Sequence, residues 1–231
     1  MLTINVVTIF PDFFVGPLGL CIPARARAAG GVEYRLIDLR TFTTDKHKTV
    51  DDSPYGGGPG MVMKPQPFFE AVESIGAKAP IVLLSPRGRT FSQADARRFA
   101  EGTELTLLCG HYKDVDQRVA DHLATEEISL GDFVLSGGEA AALAVIDATV
   151  RLIPGAMSDL ASAHGDSFFD REISAPSYTR PPDFRGHGVP EVLLSGNHAL
   201  IAKWRRDEGE RLTRERGDAD SEGGSSGALM K

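Results

Sequence analysis

Apolar and polar positions along the first 150 or so residues switch repeatedly between two periods. "LTINVVTIF" (2–10) is a run of β-branched and aromatic residues of the kind a buried strand uses, and "VEYRLIDLR" (32–40) alternates like a second strand. Between them "IPARARAAG" strings helix formers together and stops at Gly30 and Gly31. Further on, "PQPFFEAVESIGA" predicts a helix with Pro65 and Pro67 near its start, and "APIVLLS" a continuous apolar strand that stops at Pro86. "SQADARRFAEG" is a helix with a serine cap and a closing glycine, followed by the strand "ELTLLCG". The helix "DVDQRVADHLA", the short strand "EEISL" and the long helix "GEAAALAVIDATVRLI" complete the series. Strands alternating with helices of this length predict an α/β fold with a mostly parallel sheet covered on both faces.

The pattern lapses twice. Residues 41–60 have no usable period, are long for a connection, and end in "PYGGGPGM" (54–61), so they are either functional or mobile. From Gly155 to Arg185 the chain is rich in Ser, Asp, Gly and Pro and reads as a linker. A helix resumes around His198 to Arg216, and the polar tail reads as flexible. The predicted layout is an α/β domain over 1–154, an interdomain linker over 155–175, a small helical domain over 176–217 and a tail over 218–231.

With 231 residues and 42% apolar content, the chain can bury a core. "MLTINVVTIFPDFF" has no basic start and its apolar run ends at Pro11, and no stretch is long enough to span a bilayer. A cytoplasmic protein is therefore expected. A net charge of -7 argues against a protein coated in basic surface, without excluding a local basic patch. Cys21 and Cys109 are far apart and read as buried fillers.

Ligands of parallel α/β sheets bind beyond the carboxyl ends of strands. Three loops at such ends carry glycine: "SPRGR" (85–89), "CGHYKD" (109–114) and "SLGDFVLSGGE" (129–139). Glycine there serves either a tight turn or close backbone approach to a ligand. The sequence contains no G-x-G-x-x-G after a strand, no P-loop, no H-E-x-x-H and no G-x-S-x-G, so dinucleotide, NTPase, zincin and α/β-hydrolase chemistries are unsupported.

Together with "DDSPYGGGPGM", "RLIPG", "DSF" and "PSYTRPPDFRGHGVPEVLLSGNHALIAKWR", these loops appear in the order found in the bacterial tRNA (guanine-N1)-methyltransferase (TrmD) family of SPOUT methyltransferases, which the chain resembles from its first strand to about Arg206. The resemblance implies a deep trefoil knot in the α/β domain and S-adenosylmethionine as methyl donor, with assistance by magnesium. The acceptor it implies is N1 of the guanosine at position 37 of tRNA. Cofactor contacts carried over by position fall on Leu84, Ser85, Pro86, Gly88, Gly110, Tyr112, Ser129, Leu130, Gly131, Phe133, Leu135, Gly137 and Gly138. Asp166 matches the base that deprotonates guanine N1, and Arg151 an arginine that stabilises charge on the guanine oxygen.

The family also implies a homodimer in which the linker of one subunit reaches the cofactor of the other, with "PYGGGPGM" bordering the site as a close-approach surface or a rigid turn. Candidate tRNA contacts are Arg25, Arg27, Lys46, His47, Lys48, Arg180, Arg185, Lys203, Arg205, Arg206, Arg211, Arg214 and Arg216. Where the family commonly reads G-R-Y-E-G, this chain has "GHYKD", placing Lys113 at the acidic position, with Asp114 or Asp116 as a substitute charge. Two rivals, a SPOUT enzyme acting on a ribose 2′-hydroxyl and an RNA-binding protein without catalysis, are opposed by the joint presence of Arg151, Asp166 and all three loops.

Overall fold

A computed structural model of the chain describes residues 1–157, 166–169 and 173–223, with side chains through residue 217. The chain divides into two compact units, Met1–Leu160 and Ala161–Lys231.

The main sheet of the first unit contains β1 (Leu2–Thr8), β2 (Val32–Asp38), β5 (Ile81–Thr90), β6 (Glu104–Cys109) and β8 (Glu126–Ser129). Their order is β2-β1-β6-β5-β8, and every neighbouring pair is parallel. A small second sheet joins β3 (Asp51–Asp52), β4 (Val62–Met63) and β7 (Asp114–Val115). Among the described residues, six α-helices accompany these strands: α1 (Asp12–Leu18), α2 (Cys21–Ala28), α3 (Pro65–Ser74), α4 (Gln93–Glu101), α5 (Gln117–His122) and α6 (Glu139–Val150).

Neighbouring residues of a strand point to opposite faces, and here both faces are buried. Val6, Leu84 and Leu107 join Phe14, Phe99 and Ile146 in one core cluster. Val7, Leu83 and Leu108 join Phe68, Val72 and Val119 in the other. This two-sided burial is why the strands read as continuous apolar runs. Each such side chain contributes roughly 1.5–3 kcal/mol on leaving water.

The helices have local causes as well. Asp95 in the first turn of α4 reaches back to Ser92, accepting from its backbone N–H at 3.0 Å and its hydroxyl at 2.8 Å. In α6, Ala142, Val145, Ile146, Thr149 and Val150 form the buried stripe that packs on the sheet.

Several expectations need correction. α1 has no counterpart in the sequence reading, because Gly16 and Pro17 interrupt its apolar pattern. β5 does not stop at Pro86: a register shift between Leu84 and Arg89 accommodates the missing N–H, after which Arg89 and Thr90 pair again with Ile128 and Ser129. The helix expected over 114–124 is shorter, since Asp114 and Val115 pair with β4 instead. Cys109 is buried as expected, but Cys21 is exposed, at the first position of α2.

The second unit contains a hairpin of β9 (Asp183–Phe184) and β10 (His187–Gly188), then α7 (Glu191–Leu194) and α8 (His198–Gly223). The hairpin lies partly in the stretch read as linker, and its turn places Arg185 and Gly186 at positive φ. Asn197 caps α8 by accepting from Ala199 and Leu200 N–H, both at 3.2 Å. α8 starts where predicted and continues seven residues past Arg216, into the expected tail. Residues 158–165 and 170–172 of the expected linker, and 224–231 of the tail, lie outside the described residues.

Candidate active site

Three neighbouring strands, β6, β5 and β8, send their C-terminal loops to one place. The loops enclose a cleft of about 840 Å³, counting the part open to solvent. Of the positions expected to hold a cofactor, the cleft gathers Leu84, Ser85, Pro86, Gly110, Tyr112, Ser129, Leu130, Gly131, Phe133, Leu135, Gly137 and Gly138. Gly88 is outside the lining. A Cβ there would fall onto the backbone of Glu127 and Ile128, so this glycine lets the bulge of β5 lie against β8.

Glycine at the other positions creates closeness between loops. Gly138 N–H donates to Gly110 O at 2.8 Å, and a Cβ on Gly138 would lie 2.8 Å from Cys109 Cα. A Cβ on Gly110 would lie 2.7 Å from Val115, and one on Gly137 would collide with His111 and Glu139. Ser129 Oγ donates to Gly131 O and accepts from Gly131 N–H, each at 3.1 Å, which sets the course of the third loop.

Beneath the loops lies a buried carboxylate. Glu139, at the start of α6, accepts from Thr8 Oγ1 at 2.7 Å, and Thr8 Oγ1 in turn accepts from Phe10 N–H at 2.9 Å. His111 Nδ1 stands 3.6 Å from Glu139, while its backbone bridges Gly137 and its ring meets Phe10 edge-on. Burial, reinforced by the charge of Glu139, raises the Cys109 thiol well above its ordinary range.

The rim is polar. Arg87 forks onto Asp114 at 2.6 and 3.2 Å, and this hydrogen bonding raises the Arg87 guanidinium above its ordinary value. Lys113 lines the cleft and forms no ion pair among the described residues. Asp114 lines the cleft too, whereas Asp116 caps α5 and pairs with Arg118 at 2.7 Å. Both carboxylates that could replace the family's acidic residue are thus already engaged.

"PYGGGPGM" lies against this rim. Gly56, Gly57, Gly58 and Gly60 all have positive φ, so the conformation itself calls for glycine. A Cβ on Gly60 would lie 3.2 Å from that of Lys113, and Lys113 N–H donates to Met61 O at 3.0 Å. Sequence reasoning assigned no role to His111 or Ser136, which also line the cleft. Both lie inside the glycine loops, so adjacency was the signal available for them.

Arg151 is the C-cap of α6 in the first unit. Asp166 belongs to the second unit, where it is exposed and lines a different cleft with Ser174, Tyr178, Arg180, Arg205 and Arg206. On α8, Arg211 pairs with Glu208 at 2.7 Å and Glu215 at 2.6 Å, while Lys203, Arg205, Arg206 and Arg214 are exposed and form no ion pair among the described residues. Among the described residues no group of three or more His, Cys, Asp or Glu could hold a metal ion, and no helix is long and apolar enough to cross a membrane.

A parallel α/β sheet with a glycine-lined cleft beyond its strand ends is the arrangement in which such sheets bind small ligands. The family model described as tRNA (Guanine-1)-methyltransferase TrmD matches residues 2–220, and the chain belongs to that family. It is 55% identical over 216 residues to the tRNA (guanine-N(1)-)-methyltransferase of Gloeobacter violaceus, covering 92% of this chain and 95% of that one. Enzymes with the same name in Geobacillus kaustophilus (51% over 213 residues; 91% and 87% covered) and Dehalococcoides mccartyi (52% over 217; 92% and 88%) are similar as well.

Proposed function

We propose that this chain methylates N1 of guanosine at position 37 of tRNA, beside the anticodon, using S-adenosylmethionine as donor. The observation that carries the reading is the convergence of three glycine loops on one cleft at the strand ends of a chain from this family. The cleft suits the donor. Leu84, Leu130, Leu135 and Phe133 give it apolar walls. Gly110, Gly137 and Gly138 bring the second and third loops together at the cleft, so that its wall there is main chain.

Bound S-adenosylmethionine supplies an electrophilic methyl group. Guanine N1 carries a proton at neutral pH, and Asp166 removes it as general base, typically worth 10²–10⁴-fold in rate. Arg151 stabilises the negative charge that develops on the guanine oxygen. The exposed cations of α8 hold the tRNA backbone, which fits a local basic patch on an acidic protein. A ribose 2′-hydroxyl acceptor is disfavoured because it needs no carboxylate base for N1.

The working particle is a homodimer whose active site is shared, with a trefoil-knotted cofactor domain. Exposed Phe133, Val134 and Leu135 on the cleft loop, and Phe10, Phe13, Val15 and Leu20 elsewhere on the first unit, support an apolar interface. The test uses labelled donor and tRNA transcripts with guanosine or adenosine at position 37. Label enters only the guanosine transcript, and Asp166→Asn lowers the rate at least a hundredfold. Equal labelling of the two transcripts refutes the acceptor, and an unimpaired Asp166→Asn refutes the base.

A further inference from the structure

A general base must meet its proton within hydrogen-bond reach. Asp166 is exposed and lies in a turn rather than in a helix or strand, so the contacts of its neighbours bear on where it stands. The residues beside it are tied at three points. Ser167 Oγ stands 2.9 Å from Ser174 Oγ and accepts from Ser174 N–H at 3.0 Å. Ile173 N–H donates to Thr213 Oγ1 at 2.9 Å, and the same hydroxyl donates to Gly209 O at 2.8 Å. Arg216 lies 4.9 Å from the ring centroid of Phe168, a residue held at a φ of 67°.

Gly209, Thr213 and Arg216 are spaced i, i+4 and i+7, and so form a single stripe along α8. Gly209 is buried because Ile173 sits on it: a Cβ there would lie 2.7 Å from Ile173 O. The stripe thus has a bare position for close approach, a hydroxyl that uses its donor and acceptor capacity together, and a cation over an aromatic face.

We propose that the Gly209, Thr213 and Arg216 stripe of α8 is the positioning device of the catalytic carboxylate. Resting on the reading of Asp166 as base, it makes α8 the ruler of the reaction. The exposed Lys203, Arg205, Arg206 and Arg214 of that helix grip the substrate backbone, and the stripe fixes the base on the same rigid element. Misplacing a reacting group by about 1 Å can cost about 10²-fold, so a single lost tie is readable in turnover.

Thr213→Val keeps the side-chain shape and removes both hydrogen bonds, while Thr213→Ser keeps the hydroxyl. Single-turnover rates on guanosine-37 tRNA are expected to fall ten- to a hundredfold in Thr213→Val and to stay within about threefold of the parent in Thr213→Ser, with donor Kd by calorimetry and tRNA Kd unchanged in both. In an Asp166→Asn background the valine is expected to add no further loss, because nothing remains to be positioned. Arg216→Met, which keeps the aliphatic stem, is expected to show the same pattern more weakly and guards against a folding defect in the valine variant. An unchanged rate in both Thr213→Val and Arg216→Met, or losses that multiply with Asp166→Asn, overturns the proposal. An Asp166→Asn variant at full rate overturns instead the reading on which it rests.

Discussion

Replacing Gly138 by alanine adds one methyl group where two loops touch. The φ of Gly138 is -74°, which any residue adopts, so the cost arises from space alone. The new Cβ would lie 2.8 Å from Cys109 Cα, 3.0 Å from Gly110 N and 3.2 Å from Cys109 Cβ. Carbon atoms prefer about 3.5–4.0 Å, so the loops must part by roughly 0.7 Å, and the atoms in the way are mostly backbone. Overpacking of this kind costs about 1–3 kcal/mol. The same movement stretches the 2.8 Å hydrogen bond from Gly138 N–H to Gly110 O, adding about 1 kcal/mol. Together these give about 2–4 kcal/mol, or roughly 4–16 °C in Tm for a chain of this size. Scanning fluorimetry and donor calorimetry check it, with an expected affinity loss of about tenfold because the moved loops are the cleft wall. Gly16→Ala in α1 is the control, since nothing lies within 4 Å of its added carbon. A Gly138→Ala variant that melts within about 1 °C of the parent and binds donor equally well refutes the packing argument.

Two further outcomes follow from the charged and buried groups of the first unit. Burial by itself would raise the Asp95 carboxyl, but hydrogen bonds from Arg89, Ser92 and Arg98 outweigh it and hold the group well below its usual range. A folded pKa below the unfolded one stabilises above about pH 4 and is lost as pH falls further, so Asp95→Asn is expected to cost about 2 kcal/mol at pH 7, discounted for half-exposed arginines. That gap should close on acidification in urea melts, and a gap independent of pH contradicts it. Iodoacetamide at pH 8 should modify exposed Cys21 on the native protein and spare Cys109, whose thiol is raised by burial and by Glu139, until denaturant is added; two adducts on the folded chain refute this.

What the sequence discloses depends on how far a residue's cause lies from it along the chain. Both faces of the main strands are buried, so Val6, Val7, Leu83, Leu84, Leu107 and Leu108 advertise themselves as unbroken apolar runs. The glycine loops were legible for a similar reason, since each follows such a run. The purpose of each glycine was not. Gly88 and Gly138 look alike in the sequence, yet the first makes room for β8 and the second lets two loops of the cleft meet. α1 was hidden because Gly16 and Pro17 spoil its pattern while Phe14 and Leu18 still bury themselves. The ties around Asp166 were harder still, because Ile173 and Thr213 are 40 residues apart and each is unremarkable alone. A carboxylate in a polar stretch is ordinarily a solvated charge. What makes this one a candidate base is its match to the family's aspartate, and what the structure adds is a distant helix that ties its neighbours at one-face spacing.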